Sequence, residues 1–219
     1  MTAGKLRVGV VDYGAGNLVS IEQALSVVGT DVAFVRHPDD LEDVAALVVP
    51  GVGAAAPAMS RLARAKLVDP ILRWIGDGRP YLGICLGLQL LFEASDEDGA
   101  ETFGVLPGRT TELRDAPTLP HIGWNQVEHV VEHPLLHGID DATDFYFVHS
   151  YAGTPEADDV VVARTTHGRA FTSVIASGPL LGVQFHPERS GRDGLRLLAN
   201  FAAIAAAPAR EPATTGAAR

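Results

Sequence analysis

The sequence predicts a three-layer α/β sandwich with a mostly parallel central sheet, helices on both faces and antiparallel β additions in the second half. In the first half, short apolar β-rich runs alternate with stretches of helical periodicity, the pattern of parallel strands connected by helices. In the second half, β-rich runs follow one another without intervening helices, which is typical of antiparallel hairpins. A last helical stretch is expected to pack back on the sheet.

The first half contains four predicted strands, at residues 7–12, 31–35, 46–49 and 81–84, each rich in apolar residues that favour β-structure. In three stretches between and after these strands, apolar residues recur at the spacing of an α-helix. The first helix is expected to end at Gly29, because glycine is favoured just past helix C-termini. The predicted helices cover residues 17–28, residues 61–76 with a break near Pro70, and residues 86–92.

The second half is dominated by five short β-rich runs, which we interpret as antiparallel strands added to the main sheet. One helix follows them, at residues 192–204. The five runs lie at residues 126–131, 144–149, 160–165, 170–176 and 181–186.

Composition limits the classes of protein that the chain can represent. With 219 residues, 47% of them hydrophobic, it can bury a sizeable core, and we expect one domain over residues 1–207 and a disordered tail over residues 208–219. The formal net charge of −10 disfavours nucleic acid as a partner. No apolar run approaches the about 20 residues that span a bilayer, and the first residues do not fit a secretory signal. A single cysteine, which allows no internal disulfide, fits the cytoplasm.

The single cysteine, Cys85, stands in the sequence Gly-Ile-Cys-Leu-Gly-Leu-Gln at residues 83–89, between a predicted strand and a predicted helix. Such a turn resembles a nucleophile elbow, in which flanking glycines remove side chains that would collide with neighbouring elements. The amide N–H groups at the start of the helix would favour the thiolate, the form of cysteine that attacks carbonyl carbon. The alternative interpretation is a small buried cysteine in a glycine-rich turn.

His186 and Glu188 lie at the end of the last predicted strand, in the sequence His-Pro-Glu. Side chains two positions apart on a strand point to the same face, so the carboxylate can lie beside the imidazole. It would then hold one tautomer and stabilise the imidazolium, as in nucleophile–base–orienter triads. The alternative interpretation is a surface turn fixed by Pro187.

The loop Pro-Gly-Val-Gly at residues 50–53 follows the third predicted strand. Its backbone N–H groups are free to point at a bound oxygen, as the stabilisation of a tetrahedral oxyanion requires. A plain strand-to-helix connection is the alternative. Since ligands of open α/β sheets bind beyond the carboxyl ends of strands, this loop and Cys85 are expected to face one cleft.

Three other features are weaker candidates for a functional site. Residues 12–17 begin like a dinucleotide fingerprint, but its third glycine position holds Val19, so nucleotide binding is not predicted. His149 is a second candidate base for the cysteine, without an acidic residue close to it in sequence. A metal site is not predicted, because Pro134 interrupts the helix that would align His129, His133 and His137.

Taken together, these motifs resemble the class I glutamine amidotransferases, whose glutaminase domains carry Gly-x-Cys-x-Gly-x-Gln and a late His-Pro-Glu. Within that family the chain is most similar to the glutaminase subunits of imidazole glycerol phosphate synthase, and the resemblance extends from about residue 6 to residue 205. Four further segments carry the closer match, at residues 12–18, 120–125, 145–151 and 182–191.

The resemblance implies that Cys85 is the nucleophile, His186 the general base and then acid, and Glu188 the residue that orients His186. It implies that no cofactor or metal is used. For the α-ammonium group of glutamine, Asp96 and Glu97 both remain candidates. The glutamine-binding residues that it implies are Gly51, Val52, Gly53, Leu86, Gln89, Ser150 and Tyr151, with amides of Leu86 and of residues 51–53 as oxyanion donors.

The resemblance also implies a heterodimer with a synthase (cyclase) subunit that is a (β/α)-barrel. The barrel would use the ammonia to form imidazole glycerol phosphate and aminoimidazole carboxamide ribonucleotide in histidine biosynthesis. The alternatives are a glutaminase for another synthase, a cysteine hydrolase of γ-glutamyl compounds that acts alone, and a catalytically idle binding subunit. The residues implied at the partner interface are Asn17, Trp124, Asn125 and Arg189, where the family often has lysine at the last position.

Overall fold

The computed structural model describes residues 4–207, which form a large β-sheet, a small β-sheet and five α-helices. The helices are α1 (Leu18–Val27), α2 (Ala55–Arg64), α3 (Val68–Gly76), α4 (Leu86–Gln89) and α5 (Gly191–Ala206). The strands are β1 (Arg7–Val11), β2 (Asp31–Val35), β3 (Ala46–Gly51), β4 (Tyr81–Cys85), β5 (Ala94–Ser95), β6 (Gly108–Glu112), β7 (His121–His129), β8 (Thr143–His149), β9 (Tyr151–Pro155), β10 (Val161–His167), β11 (Arg169–Ser177) and β12 (Leu180–Val183).

The large sheet contains nine strands in the order β2-β1-β3-β4-β12-β11-β10-β7-β8. The pairings from β2 to β12 are parallel, and those from β12 to β8 are antiparallel. The predicted α/β class with antiparallel additions in the second half is confirmed, and the sheet as a whole is mixed. The prediction that residues 181–186 belong to the antiparallel hairpins alone is wrong, because β12 also pairs in parallel with β4.

Helices cover both faces of the large sheet, as predicted. On one face, α1 and α5 pack against strand residues such as Val8 and Ile84. On the other face, α2 and α3 pack against strand residues that point the opposite way, such as Leu47 and Val49. Since side chains alternate between the two faces of a strand, each central strand contributes apolar residues to both cores. This is why these strands appear in the sequence as continuous apolar runs.

The first predicted helix is confirmed by α1, and the residues after it show why it ends there. Gly29 has a φ of +95°, a left-handed conformation that glycine adopts without steric cost. The N–H of Thr30 donates to the Leu25 carbonyl at 3.2 Å, and the N–H of Gly29 donates to the Ser26 carbonyl at 3.1 Å. These two bonds form a Schellman motif, which satisfies carbonyls that the helix leaves without a partner.

The helical stretch predicted at residues 61–76 consists of two helices, and the predicted break near Pro70 is wrong. The break lies around Lys66, which has a φ of +59°, and the N–H of Leu67 donates to the Leu62 carbonyl at 2.9 Å. Helix α2 therefore ends in the same motif as α1, without a glycine to mark it. Pro70 lies in the first turn of α3, where backbone N–H groups have no helical partner, so it does not interrupt the helix.

The helix predicted at residues 86–92 is too long, because α4 ends at Gln89. The carbonyl groups of residues 90–92 accept hydrogen bonds of 2.8 to 2.9 Å from the N–H groups of residues 103–106. This segment, distant in sequence, takes the acceptors that another helical turn would need.

The small sheet, in which β6 pairs with β5 and β9, is not part of the sequence-based prediction. Strand β5 has only two residues, too few for a periodic pattern to be recognised in the sequence. Strand β9 begins two residues after β8 ends, so the chain passes from the edge of the large sheet into the small sheet at Ser150.

Within residues 4–207, no helix combines the length and the apolar character needed to cross a membrane. The tail expected at residues 208–219 lies outside the described residues. The expected single domain stays a prediction.

We predict that Gly87→Ala destabilises the fold. A Cβ atom at this position would overlap the carbonyl group of Val49 in β3, which is backbone and cannot rotate away. Overpacking of this kind costs about 1 to 3 kcal/mol, and urea unfolding would measure the loss in free energy of unfolding. The matched control is Gly76→Ala at the end of α3, where a Cβ meets no atom within 4 Å. Equal stability of the two variants would contradict the prediction.

Candidate active site

Cys85 lies where β4 passes into α4, as the predicted elbow requires. Its backbone has a φ of +53° and a ψ of −108°, a conformation that residues other than glycine rarely adopt. The turn is tight because Gly87 lies against the Val49 carbonyl of β3, and Gly83 lies against the Gly87 carbonyl. A side chain at either glycine would overlap these backbone atoms. The expectation that the flanking glycines make room for the turn is confirmed.

His186 and Glu188 lie together just after β12. Nδ1 of His186 is 2.9 Å from Oε1 of Glu188, and the two side chains are 5% and 1% exposed. Ser190 holds this segment on β8, because its hydroxyl donates to the His186 carbonyl at 2.6 Å and accepts from the N–H of Tyr146 at 3.0 Å. The N–H of His186 also donates to the Tyr146 carbonyl at 2.9 Å. The imidazole is thus fixed by its own backbone and by the carboxylate.

The electrostatics of this pair favour a protonated His186. Burial alone would lower the pKa of the ring, but the charge of Cys85 and the interaction with Glu188 together raise the pKa above its ordinary value. The second ring nitrogen, Nε2, is buried and forms no hydrogen bond of normal geometry among residues 4–207. The arrangement favours an imidazolium at His186, which Glu188 stabilises.

Two glutamine side chains connect the sulfur of Cys85 to the small sheet. Nε2 of Gln184 donates to Sγ of Cys85 at 3.6 Å, and its Oε1 accepts from Nε2 of Gln89 at 3.1 Å. Gln89 also donates to the Tyr151 carbonyl at 2.8 Å. Gln89, which the resemblance assigns to glutamine binding, therefore connects α4 with the first residue of β9.

A cavity of about 230 Å³ opens over Cys85. Cys85 and the loop after β3 both line it, which confirms that the two face one cleft beyond the carboxyl ends of parallel strands. The segment in which β8 passes into β9 also lines the cavity. The lining residues are Val52, Gly53, Cys85, Gln89, Glu97, Pro120, Val148, His149, Ser150 and Tyr151.

Of the two carboxylates proposed for an ammonium group, Glu97 lines the cavity, whereas Asp96 is paired with Arg109 at 2.8 Å. Partial burial, followed by the nearby charge of Asp98, raises the pKa of Glu97. Because burial and a neighbouring negative charge disfavour the ionised form of Glu97, a cation bound beside it would stabilise that form.

The loop after β3 places Val52 and Gly53 at the cavity, with Gly53 at a φ of +81°. Gly51 and Leu86 are buried beneath them and do not line it. Tyr13 holds the start of this loop, since its hydroxyl donates to the Pro50 carbonyl at 2.9 Å.

His149 lines the cavity but cannot serve as the base in this arrangement. Its Nδ1 is 2.9 Å from the Tyr151 carbonyl, and its Nε2 is 3.1 Å from Nδ1 of His121. Both ring nitrogens are therefore occupied, and neither is left to take a proton from the sulfur.

The residues expected at a partner interface fall into two groups. Trp124 is 57% exposed and packs edge-on against Tyr146, whose ring lies 4.0 Å from the guanidinium carbon of Arg189. Asn17 is exposed before α1, which packs on the turn that contains Arg189. The Asn125 side chain instead turns inward, where its amide donates to the Thr166 carbonyl at 2.9 Å.

Sequence reasoning missed Gln184 and Ser190. Gln184 stands two positions before His186, so the alternation of side chains on a strand was an available signal for placing both on one face. Ser190 offered no such signal, because its role depends on β8, which is distant in sequence.

His129, His133 and His137 line a separate open cavity. His129 ends β7 and His133 precedes a short turn of helix at Pro134–Leu136, so they do not share one helical face. Among residues 4–207, no group of three or more His, Cys, Asp or Glu side chains is placed to hold a metal ion.

Comparisons with known proteins agree on one family. A family model described as glutamine amidotransferase class-I matches residues 9–205. The imidazole glycerol phosphate synthase subunit HisH of Desulfovibrio desulfuricans is 46% identical over 200 residues, which cover 88% of this chain and 92% of that protein. The same subunit of Symbiobacterium thermophilum is 45% identical over 196 residues, which cover 89% and 92%.

Solved structures show the same fold at lower identity. The structure of PurLQS from Thermotoga maritima has a TM-score of 0.73 at 20% identity and covers 90% of this chain and 98% of that one. A glutamine amidotransferase from Thermotoga maritima has a TM-score of 0.66 at 16% identity and covers 94% and 100%.

We predict that Cys85→Gly unfolds at a higher urea concentration than Cys85→Ala. Both variants lack the sulfur and both must adopt the left-handed φ of +53°, but only alanine has a Cβ that makes this conformation strained, so the glycine variant should be more stable by about 1 kcal/mol. At an exposed position inside α1, the pair Gln23→Gly and Gln23→Ala should show the opposite order by a similar amount. The prediction fails if alanine is the more stable residue at both positions.

Proposed function

This chain belongs to the class-I glutamine amidotransferases and, within them, to the family of the HisH subunit of imidazole glycerol phosphate synthase, and we propose that it hydrolyses glutamine with Cys85, His186 and Glu188. The observation that carries this proposal is the buried His186, held by Glu188 on one side and adjoining the Cys85 sulfur on the other. The cavity above the sulfur is of a size for one amino acid.

The first half of the reaction forms a thioester. The Cys85 thiolate attacks the side-chain carboxamide carbon of glutamine and gives a tetrahedral oxyanion. His186 donates its proton to the nitrogen, the carbon–nitrogen bond breaks, and ammonia leaves with the γ-glutamyl group bound to the sulfur. Glu188 keeps the imidazole of His186 oriented while the imidazole changes from its charged to its neutral form.

The second half releases glutamate. His186, now neutral, takes a proton from a water molecule that attacks the thioester, and the sulfur leaves as thiolate. The thiolate and the imidazolium are then restored for the next cycle. The covalent intermediate divides one difficult amide hydrolysis into two easier steps.

Backbone and carboxylate groups around the cavity hold the substrate. Amide N–H groups of Val52, Gly53 and Leu86 are the oxyanion donors, and such a donor typically contributes about 3 kcal/mol to stabilisation of the transition state. Glu97 binds the α-ammonium of glutamine, supported by its place in the cavity lining. Ser150 and Tyr151 form the wall opposite the loop after β3.

The ammonia passes to a synthase (cyclase) subunit that is a (β/α)-barrel, with which the chain forms a heterodimer. Ammonia released into water at neutral pH would be protonated and lose its nucleophilicity, so the two sites need a shielded path between them. The exposed Trp124 and Arg189, joined through Tyr146, form the docking patch on this chain. The reaction takes place in the cytoplasm.

We predict that Cys85→Ala abolishes glutamine-dependent synthesis by the complex and leaves ammonia-dependent synthesis intact. The variant removes the nucleophile, whereas added ammonia bypasses it. Synthase turnover with glutamine and with ammonium salt, at equal complex concentration, would measure both activities. Glutamine-dependent turnover that survives the substitution would refute the proposed nucleophile, and glutamate release without any partner would favour a hydrolase that acts alone.

We also predict that Glu97→Gln raises the KM for glutamine roughly tenfold, since the amide can still accept a hydrogen bond from the α-ammonium but lacks the negative charge that strengthens it. The substitution preserves shape and removes only the negative charge. Glu101→Gln, at an exposed position nearby in sequence, is the matched control and should leave the KM unchanged. An unchanged KM in both variants would assign the α-ammonium to another group.

A further inference from the structure

Three side chains form an unbroken series of hydrogen bonds from the β10–β11 hairpin to the wall of the cavity. Nδ2 of Asn125 is 3.1 Å from Nε2 of His121, and Nδ1 of His121 is 3.1 Å from Nε2 of His149. Nδ1 of His149 is 2.9 Å from the Tyr151 carbonyl oxygen. His121 and His149 face each other directly in the pairing of β7 with β8.

The groups at the two ends of this series determine which atom donates and which accepts in each of its hydrogen bonds. At one end, Nδ2 of Asn125 faces the Thr166 carbonyl, which can only accept, while Oδ1 accepts from the N–H of Gln126 at 2.8 Å. The Asn125 amide therefore donates to Nε2 of His121. At the other end the Tyr151 carbonyl also can only accept, so Nδ1 of His149 carries the proton. Both rings must then be neutral, with the proton on Nδ1.

The surroundings of the two rings keep them neutral. His121 is stacked between His167, at a ring distance of 4.0 Å, and Phe147, at 5.0 Å. Burial, with the nearby His167, lowers the pKa of His121 to about 4. Burial is also the main cause that lowers the pKa of His149 to about 3, with further contributions from His121, His167 and His186. The titratable groups acting on the pair are thus His167 on β10 and His186 after β12.

The series ends on a carbonyl group that helps to form the glutamine cavity. The Tyr151 oxygen accepts from His149 and also from Gln89, so both of its lone pairs are engaged. Reversal of the proton order would place an unprotonated Nδ1 of His149 against this oxygen, and the two acceptors would repel. The position of Ser150 and Tyr151 at the cavity therefore depends on Asn125, although the series between them crosses two strands.

We propose that Asn125 and His121 are positioning residues for the glutaminase site, holding His149 in the tautomer that donates to Tyr151 and thereby fixing the Ser150–Tyr151 wall of the glutamine cavity. The inference rests on the proposed function for its kinetic consequence, but the tautomers themselves do not depend on it. Measuring the tautomers tests the geometry of the hydrogen-bond series, and measuring the KM for glutamine tests the effect of that geometry on the site.

The geometric test is long-range ¹H–¹⁵N NMR of the histidine rings in the full chain, with His121→Asn and His149→Asn used for assignment. Both rings should show the Nδ1–H form at pH 7. A proton on Nε2 of either ring, or an imidazolium at this pH, would overturn the inference whether or not the chain hydrolyses glutamine.

The kinetic test uses Asn125→Asp in the complex with its synthase partner, across pH 6 to 9. The carboxylate only accepts, so it demands a proton on Nε2 of His121. At low pH an imidazolium at His121 donates both to the carboxylate at position 125 and to Nε2 of His149, so the hydrogen bond to His149 keeps its original direction. As the pH rises, the His121 ring loses the proton on Nδ1 and keeps the one on Nε2. Nδ1 of His121 can then no longer donate to Nε2 of His149, and His149 is no longer held in the tautomer that donates to the Tyr151 carbonyl. The ratio of variant to wild-type KM for glutamine should therefore increase with pH, to roughly tenfold.

The matched control is Asn200→Asp, because Asn200 also donates to two carbonyl groups, those of Leu135 and His137, and lies on α5. Its KM ratio should stay near one at every pH, although it loses comparable hydrogen bonds. A second pair of variants separates loss of the donor from a folding defect. His121→Phe removes the Nδ1 donor and should raise the KM for glutamine. His121→Asn places an amide donor near the Nδ1 position and should lower the KM toward the wild-type value. Thermal unfolding of each variant would show that the chain is folded.

A KM ratio for Asn125→Asp that is flat across this pH range, or a His121→Asn variant no better than His121→Phe, would overturn the positioning role. A wild-type complex that releases no glutamate from glutamine would instead overturn the proposed function, and the NMR result would then still decide the tautomers.

Discussion

The contact between Gly87 and the Val49 carbonyl determines how closely the elbow at Cys85 can approach the neighbouring strand. Because no side chain separates them, α4 can begin directly at the end of β4 and hold Cys85 in a left-handed backbone conformation. This contact places the sulfur beside the loop after β3 and beneath the cavity. A catalytic turn of this kind is held by backbone packing, so its precision depends on the sheet as a whole rather than on a particular side chain.

Two histidines lie near the sulfur in opposite electrostatic situations. His186 adjoins a carboxylate and the Cys85 sulfur, so its pKa is raised and it can hold the proton that the leaving nitrogen needs. His149 is buried among other rings without a carboxylate partner in its hydrogen bonds, so its pKa is lowered and it stays neutral. Two side chains of one chemical type near the same sulfur thus suit the different roles that we propose for them, acid–base chemistry for His186 and positioning for His149, because their neighbours differ.

The strongest predictions from sequence were those that depend on local pattern. The alternation of strands and helices gave the α/β class, and Gly29 marked the end of α1 because a left-handed residue is needed there. The glycines around Cys85 and the spacing of His186 and Glu188 indicated the groups that we propose to react, since a tight turn and the two-residue repeat of a strand are local constraints. Composition contributed less, because the net charge of −10 only disfavours nucleic acid as a partner.

The features that sequence reasoning missed depend on contacts between distant segments. Helix α2 ends at Arg64, with Lys66 in the left-handed position that glycine usually takes, and α4 stops at Gln89 because N–H groups of residues 103–106 bind the carbonyl groups of residues 90–92. Asn125, expected at the partner surface, turns inward to His121 because strands β7, β8 and β10 meet there. The sequence by itself determined the fold class and indicated the proposed reacting groups, because local patterns encode them. Only the tertiary structure decided how these groups are held, because hydrogen-bond partners far apart in the chain are chosen by the packing of strands.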